Sequence, residues 1–106
     1  MYDVPELPFF PRDCVRREWM GLPDRCSLTR EAAVKRQAAH RDILRRVAER
    51  HPSARIFDPY DALCPAQTCA YRSGDHLLYS DSHHLTTHGS AVVAKGFLDW
   101  LVRKPQ

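Results

Sequence analysis

A chain of 106 residues with a net charge of +3 spans one domain or part of one. Its small, scattered basic excess excludes the concentrated positive face of a nucleic-acid binder. Hydrophobic residues make up 43% of it, but eleven of those are alanine, so few large side chains are left to build a core. No apolar run approaches the roughly 20 residues of a membrane span, and Met1 to Leu7 lack the basic start and apolar run of a signal peptide.

Met1 to Val4 read as the end of a strand. Pro5, Pro8 and Pro11 forbid regular ladder pairing, which predicts an extended loop from Pro5 to Asp13. A helical turn is expected from Cys14 to Met20, broken by Gly21, Pro23 and Asp24. Thr29 then offers an N-cap side chain and Glu31 suits a first turn. Ala32, Ala33, Ala39, Ile43, Leu44, Val47 and Ala48 recur at helical spacing, so one long helix is expected through Glu49, with Arg and Lys on most of its other face. His51-Pro52 ends it. Ala54 to Phe57 read as a short strand closed by Asp58-Pro59, and the order helix, tight turn, strand suggests a helix returning to a sheet. Cys69 to Tyr71 and His76 to Tyr79 flank Arg72-Ser-Gly-Asp75 as a predicted β-hairpin. Thr86 or Thr87 caps a last helix whose apolar stripe is Ala91, Ala94, Leu98 and Leu101, widened by Val92, Phe97 and Val102. Arg103 and Lys104 sit at its end, where cations suit the helix dipole.

Four cysteines, Cys14, Cys26, Cys64 and Cys69, form two close pairs. An even count in local pairs reads as disulfides and hence as an oxidising compartment. Of the three possible connectivities, 14–26 with 64–69 closes the shortest loops. Each such bridge stabilises a small fold by about 2–4 kcal/mol. Zinc is the weaker reading, because neither spacing is Cys-x2-Cys. Export chemistry without an export signal suggests a piece of a longer protein.

The densest chemistry lies in Leu78-Tyr-Ser-Asp-Ser-His-His-Leu-Thr-Thr-His-Gly-Ser90. A serine hydroxyl is a weak nucleophile until a histidine takes its proton. That histidine needs a carboxylate on its far nitrogen to hold the tautomer and stabilise the imidazolium. Asp81, three residues before His84 on a tight turn, meets that need, and Gly89-Ser90 lets the following helix start close to the fold. The plain alternative is a pair of solvated polar groups at a helix cap. A metal reading also exists, with His84 and His88 four apart and Asp81 and His83 nearby, but no Glu follows in a His-Glu-x-x-His arrangement. His40 and His51 read as surface residues and His76 as structural.

Cys64-Pro-Ala-Gln-Thr-Cys69, Gly74, Leu78-Tyr-Ser-Asp81 and His84-Leu-Thr-x-x-Gly-Ser90 together resemble the C-terminal part of SGNH-type domains. The nearest likeness is to the SGNH domain fused to acyltransferase-3 membrane proteins, the O-acetyltransferases of bacterial surface polysaccharides. Thr86 stands where that family has Ser and Ser90 where it has Ala. The upstream Val-Pro-Glu-Leu-Pro segment, Cys14, and Cys26 followed by a charged helix are also similar, so the likeness covers nearly all of the chain.

The resemblance implies an α/β fold: the C-terminal portion of a three-layer α/β/α, flavodoxin-like SGNH domain, with a small β-hairpin near the site and a C-terminal helix. Residues 1–106 would be a partial SGNH domain. Asp81 would orient His84, His84 would be the base, and His83 falls out of register. The acyl donor would be delivered by a membrane acyltransferase domain to a polysaccharide acceptor, on the periplasmic side of the bacterial inner membrane. No cofactor, metal or nucleic acid is implied. The family's Gly-Asp-Ser nucleophile and Gly-x-Asn oxyanion elements have no counterpart: the chain contains no asparagine, and Ser27, Ser53, Ser73, Ser80, Ser82 and Ser90 sit in no Gly-Asp-Ser turn. The expected function is the Asp-His part of an acyl-transfer or esterase site, inactive alone. A disulfide-stapled binding module and a His/Asp metal-binding domain are the alternatives.

Overall fold

The structure, a computed structural model, describes residues 1–103. Lys104, expected at the end of the last helix, lies outside them. Five helices and one two-stranded sheet make up the regular structure among the described residues.

Helix α1 (Pro11–Trp19) starts three residues before the expected Cys14. Proline suits a first helical position, where its missing N–H is not needed and its fixed φ is already helical. The Cys14–Cys26 disulfide, with Cα atoms 6.0 Å apart, ties α1 to the chain entering α2.

The expected long helix is two helices, α2 (Arg30–Arg36) and α3 (Ala38–Glu49), with Gln37 between them at φ −112° and ψ 20°. Thr29 caps α2 as expected, its hydroxyl accepting the Ala32 N–H at 3.1 Å. Gln37 breaks the run because its amide is used elsewhere. Its Nε2 donates to the Val4 carbonyl at 3.0 Å. The buried Tyr60 hydroxyl, with one proton for two acceptors, reaches both Gln37 Oε1 and the Ala33 carbonyl.

The strands expected at Met1–Val4 and Ala54–Phe57 do not form. The two segments are joined by one backbone bond, from the Tyr2 N–H to the Phe57 carbonyl at 3.1 Å, which is no ladder. A one-turn helix α4 (Tyr60–Leu63) follows. It is locked to the start of α2 by Arg30, whose guanidinium donates to the Cys64 carbonyl at 3.0 Å and to Asp61 Oδ1 at 2.8 Å. The Cys64–Cys69 disulfide closes the next loop, with Cα atoms 4.0 Å apart. Both disulfides are those expected. The chain leaving this loop pairs back on Leu28 and Arg30, through Cys69 N–H to Leu28 O at 2.8 Å and Arg30 N–H to Gln67 O at 2.9 Å.

The hairpin strands β1 (Arg72–Ser73) and β2 (His76–Leu77) lie closer to the turn than expected, in the register Arg72↔Leu77 and Ser73↔His76. Gly74, at φ 58°, opens the two-residue turn with Asp75, where a positive φ is wanted and glycine carries no Cβ cost.

The last helix, α5 (Thr87–Val102), is capped by Thr86, whose hydroxyl accepts the Gly89 N–H at 3.1 Å. Its packed face is not the expected stripe. Gly89 and Val93 are buried, and Val92, Gly96 and Trp100 are half-buried, while Ala91, Ala94, Leu98 and Leu101 face outward. The two glycines decide this. A Cβ on Gly89 would lie 2.0 Å from the Leu78 carbonyl oxygen, and one on Gly96 would lie 2.9 Å from Ala62 Cβ. The helix therefore docks by the side that permits closest approach, and the more apolar side is left without a neighbour.

The core runs through Val4, Leu7, Leu28, Ala33, Phe57, Tyr60, Leu63, Leu78, Tyr79 and Val93. Arg41 of α3 sits between the rings of Tyr2 and Tyr60, 4.3 Å from each centroid, and its guanidinium pairs with Asp58. Phe57 meets Phe97 edge-on with ring centroids 5.5 Å apart and lies 5.6 Å from Trp100. The segment at residues 54–60 is thus touched by α3 through Asp58 and Tyr60 and by α5 through Phe57. What is observed is a mixed, mainly helical fold with one antiparallel strand pair, compatible with part of an α/β domain.

Candidate active site

Asp81 and His84 lie on a loop pinched shut at its base. Tyr79 and Leu85 form an antiparallel bridge, and the Ser80 N–H donates to the His84 carbonyl at 2.8 Å. Leu78 then receives the Thr86 N–H at 3.0 Å, and the Thr86 hydroxyl donates to the Leu77 carbonyl at 2.6 Å. The loop is therefore continuous with both β2 and the N-cap of α5.

The N-terminal segment holds the loop from beneath. The Tyr79 side chain is fully buried, and its hydroxyl donates to the Pro5 carbonyl at 2.6 Å. Burial pushes that phenol above its ordinary pKa, with the nearby Tyr60 and Asp3 charges acting the same way, so it remains a donor. The Leu7 N–H reaches the Ser82 carbonyl at 2.7 Å. Pro5 and Leu7 hold the site with their backbones, so no side-chain pattern announced them.

Within the loop one carboxylate does most of the organising. Asp81 Oδ1 accepts the backbone N–H of His83 at 2.9 Å and of His84 at 2.7 Å. The His84 ring then faces the same carboxylate, Nδ1 lying 3.1 Å from Oδ1 and 2.9 Å from Oδ2. Asp81 is held down to about 2, first by the His83 N–H, then by the His84 ring, with the His84 N–H adding to them. An ionised carboxylate only accepts, so Nδ1 carries a proton, and in the neutral imidazole Nε2 keeps the lone pair. Nε2 meets no hydrogen-bond partner among the described residues, and the His84 side chain is 67% exposed. The ring is thus oriented by Asp81 through Nδ1 and presents its other edge to the outside.

The serines near it are used otherwise. The Ser80 hydroxyl donates to the His84 carbonyl at 3.2 Å, and the Ser82 hydroxyl lies 3.0 Å from His83 Nδ1. His83, set aside in the sequence, stands beside His84 with ring centroids 4.2 Å apart. His88 does not join them. It stacks on His76 at 3.9 Å, which speaks against the alternative in which His84 and His88 share a metal. His40 accepts the Asp3 N–H at 3.1 Å through Nε2, a structural role its surface position did not suggest. A cleft of about 260 Å³ between α4 and α5 is floored by Phe57 and Trp100, and neither Asp81 nor His84 lines it. No described helix is long and apolar enough to cross a membrane.

A family model for the SGNH domain (fused to AT3 domains) matches residues 1–99, and the chain belongs to that family. Comparison with the curated proteins and with the solved structures gave no match.

Proposed function

We propose that this chain supplies the acid–base half of a Ser-His-Asp site that moves acyl groups onto, or off, a bacterial surface polysaccharide. The observation that carries this reading is the Asp81–His84 hydrogen bond with Nε2 left open. A serine Oγ presented to Nε2 gives up its proton as it attacks an acyl carbonyl. His84 returns the proton to the leaving group, and Asp81 stabilises the imidazolium between the two steps. A sugar hydroxyl or water then attacks the acyl-enzyme by the same relay. Fusion of the family to AT3 domains supports a membrane acyltransferase as source of the acyl group, with O-acetylation as the chemistry. The two disulfides favour the periplasmic side of the inner membrane.

The serine, in this reading, belongs to a separate segment that completes a three-layer α/β/α domain by packing on the open sides of α3 and α5. The purified chain alone is expected to leave a simple acetyl ester untouched. Joined to the Gly-Asp-Ser-bearing segment of an SGNH domain of this family, it should hydrolyse the ester, and Asp81→Asn should lower kcat by about 10⁴ by freeing the tautomer. Robust turnover by the 106-residue chain alone would overturn this reading.

A further inference from the structure

We propose that Asp81, His83 and His84 form a transition-metal site that switches the dyad off by taking hold of His84 through the nitrogen that Asp81 orients. The donor atoms already stand in nearly the right triangle. Asp81 Oδ1 lies 3.1 Å from His84 Nδ1 and 3.7 Å from His83 Nδ1, and all three donors fall within 4.8 Å of one another. A tetrahedral zinc ion with bonds of about 2.0–2.1 Å separates its ligand atoms by about 3.3 Å. Two edges of the triangle are therefore close to that length, and the third closes by turning one exposed imidazole.

The site is open to an incoming ion. The side chains of Asp81, His83 and His84 are 41%, 57% and 67% exposed, leaving the fourth position to water. The ion displaces the Asp81–His84 hydrogen bond and the contact between His83 Nδ1 and the Ser82 hydroxyl. Two imidazoles and one carboxylate select zinc, nickel or copper over magnesium or calcium, which prefer all-oxygen shells.

The consequence for catalysis follows from the ring. A metal on Nδ1 displaces the proton from that nitrogen, and the neutral imidazole then carries its proton on Nε2. Nε2 becomes a donor and has no lone pair for a serine proton, so metal binding and base catalysis exclude each other. This consequence rests on the catalytic reading of Asp81 and His84; the binding itself does not.

Zinc chloride titrated into the full chain, followed by calorimetry and by nitrogen NMR of the histidine rings, tests the site. One ion per chain is expected, with the Nδ1 resonances of His83 and His84 moving together. His83→Ala should weaken binding by about tenfold or more, a His76→Ala/His88→Ala double variant should bind as the parent does, and magnesium should give no response. Unweakened binding by His83→Ala, or no movement of those two rings up to millimolar zinc, overturns the site. In the reconstituted enzyme, zinc should inhibit reversibly on chelation and His83→Ala should resist it. Zinc binding at these rings without inhibition would overturn the switch and leave the metal site standing.

Discussion

Asp81 does two tasks with one carboxylate, closing the turn through two backbone N–H groups and orienting the His84 ring. Both favour the ionised form, which is why its pKa falls from 3.8 to about 2. A depressed folded-state pKa means that the loop's carboxylate-dependent order is fully present above about 3.8 and is lost as pH falls through about 2. Carbon NMR of the Asp81 carboxyl should show a midpoint near 2, with the His83 and His84 amide shifts following it; a midpoint near 4 would show that the turn is not held this way. The pairing itself was legible in the sequence, because Asp and His three apart before a capped helix have little room to point apart. The second histidine's place was not. His83 lies beside His84 because both N–H groups turn toward Asp81, and that is a property of the closed loop rather than of the spacing.

The helices show where pattern succeeds and where it fails. The Thr29 cap and both disulfides are legible in the sequence, and the cap of α5 is legible as Thr86 or Thr87, since each is a local contact between residues close in the chain. The break at Gln37 could not, because glutamine is an ordinary helix former and its partners, Val4 and Tyr60, are distant in sequence. The face of α5 was misread for a related reason. Periodicity counts apolar side chains, whereas Gly89 and Gly96 win the contact by having none. The expected strands failed because a strand is completed by its neighbours, and one hydrogen bond between Tyr2 and Phe57 does not make a ladder. The Gln37 joint is testable. Gln37→Leu leaves the part-buried Val4 carbonyl without its donor and removes one acceptor of the Tyr60 hydroxyl. It should cost about 1–3 kcal/mol, or some 4–8 °C of melting temperature per kcal/mol for a chain of this size. An unchanged melt would show that the amide does not hold the two helices to the N-terminal segment.

At the scale of the molecule, this structure is more open than a closed domain of its mass. Its radius of gyration is 15.2 Å, against about 13 Å for a compact domain of this length. It exposes 7577 Å², where a monomer of its mass exposes about 6,100 Å². The excess of about 1,500 Å² exceeds the roughly 800 Å² that one partner contributes to a standard interface. Large apolar side chains stand exposed on or beside α1 (Phe10, Trp19 and Met20), on α3 (Ile43 and Val47), which buries no residue, and on the outer side of α5 (Leu98, Leu101 and Val102). A helix that is apolar on both sides, as α5 is, belongs inside a larger fold. Apolar surface of this extent is driven to find cover, so the isolated chain is expected to self-associate as its concentration rises. Leu98→Lys with Leu101→Lys should keep it monomeric in sedimentation velocity while changing stability by no more than about 0.5 kcal/mol each, because neither side chain is packed here. The same pair should abolish recovery of activity when the serine-bearing segment is supplied, since that segment needs the surface they occupy. A parent chain that stays monomeric at high concentration and melts sharply would show that these faces need no partner.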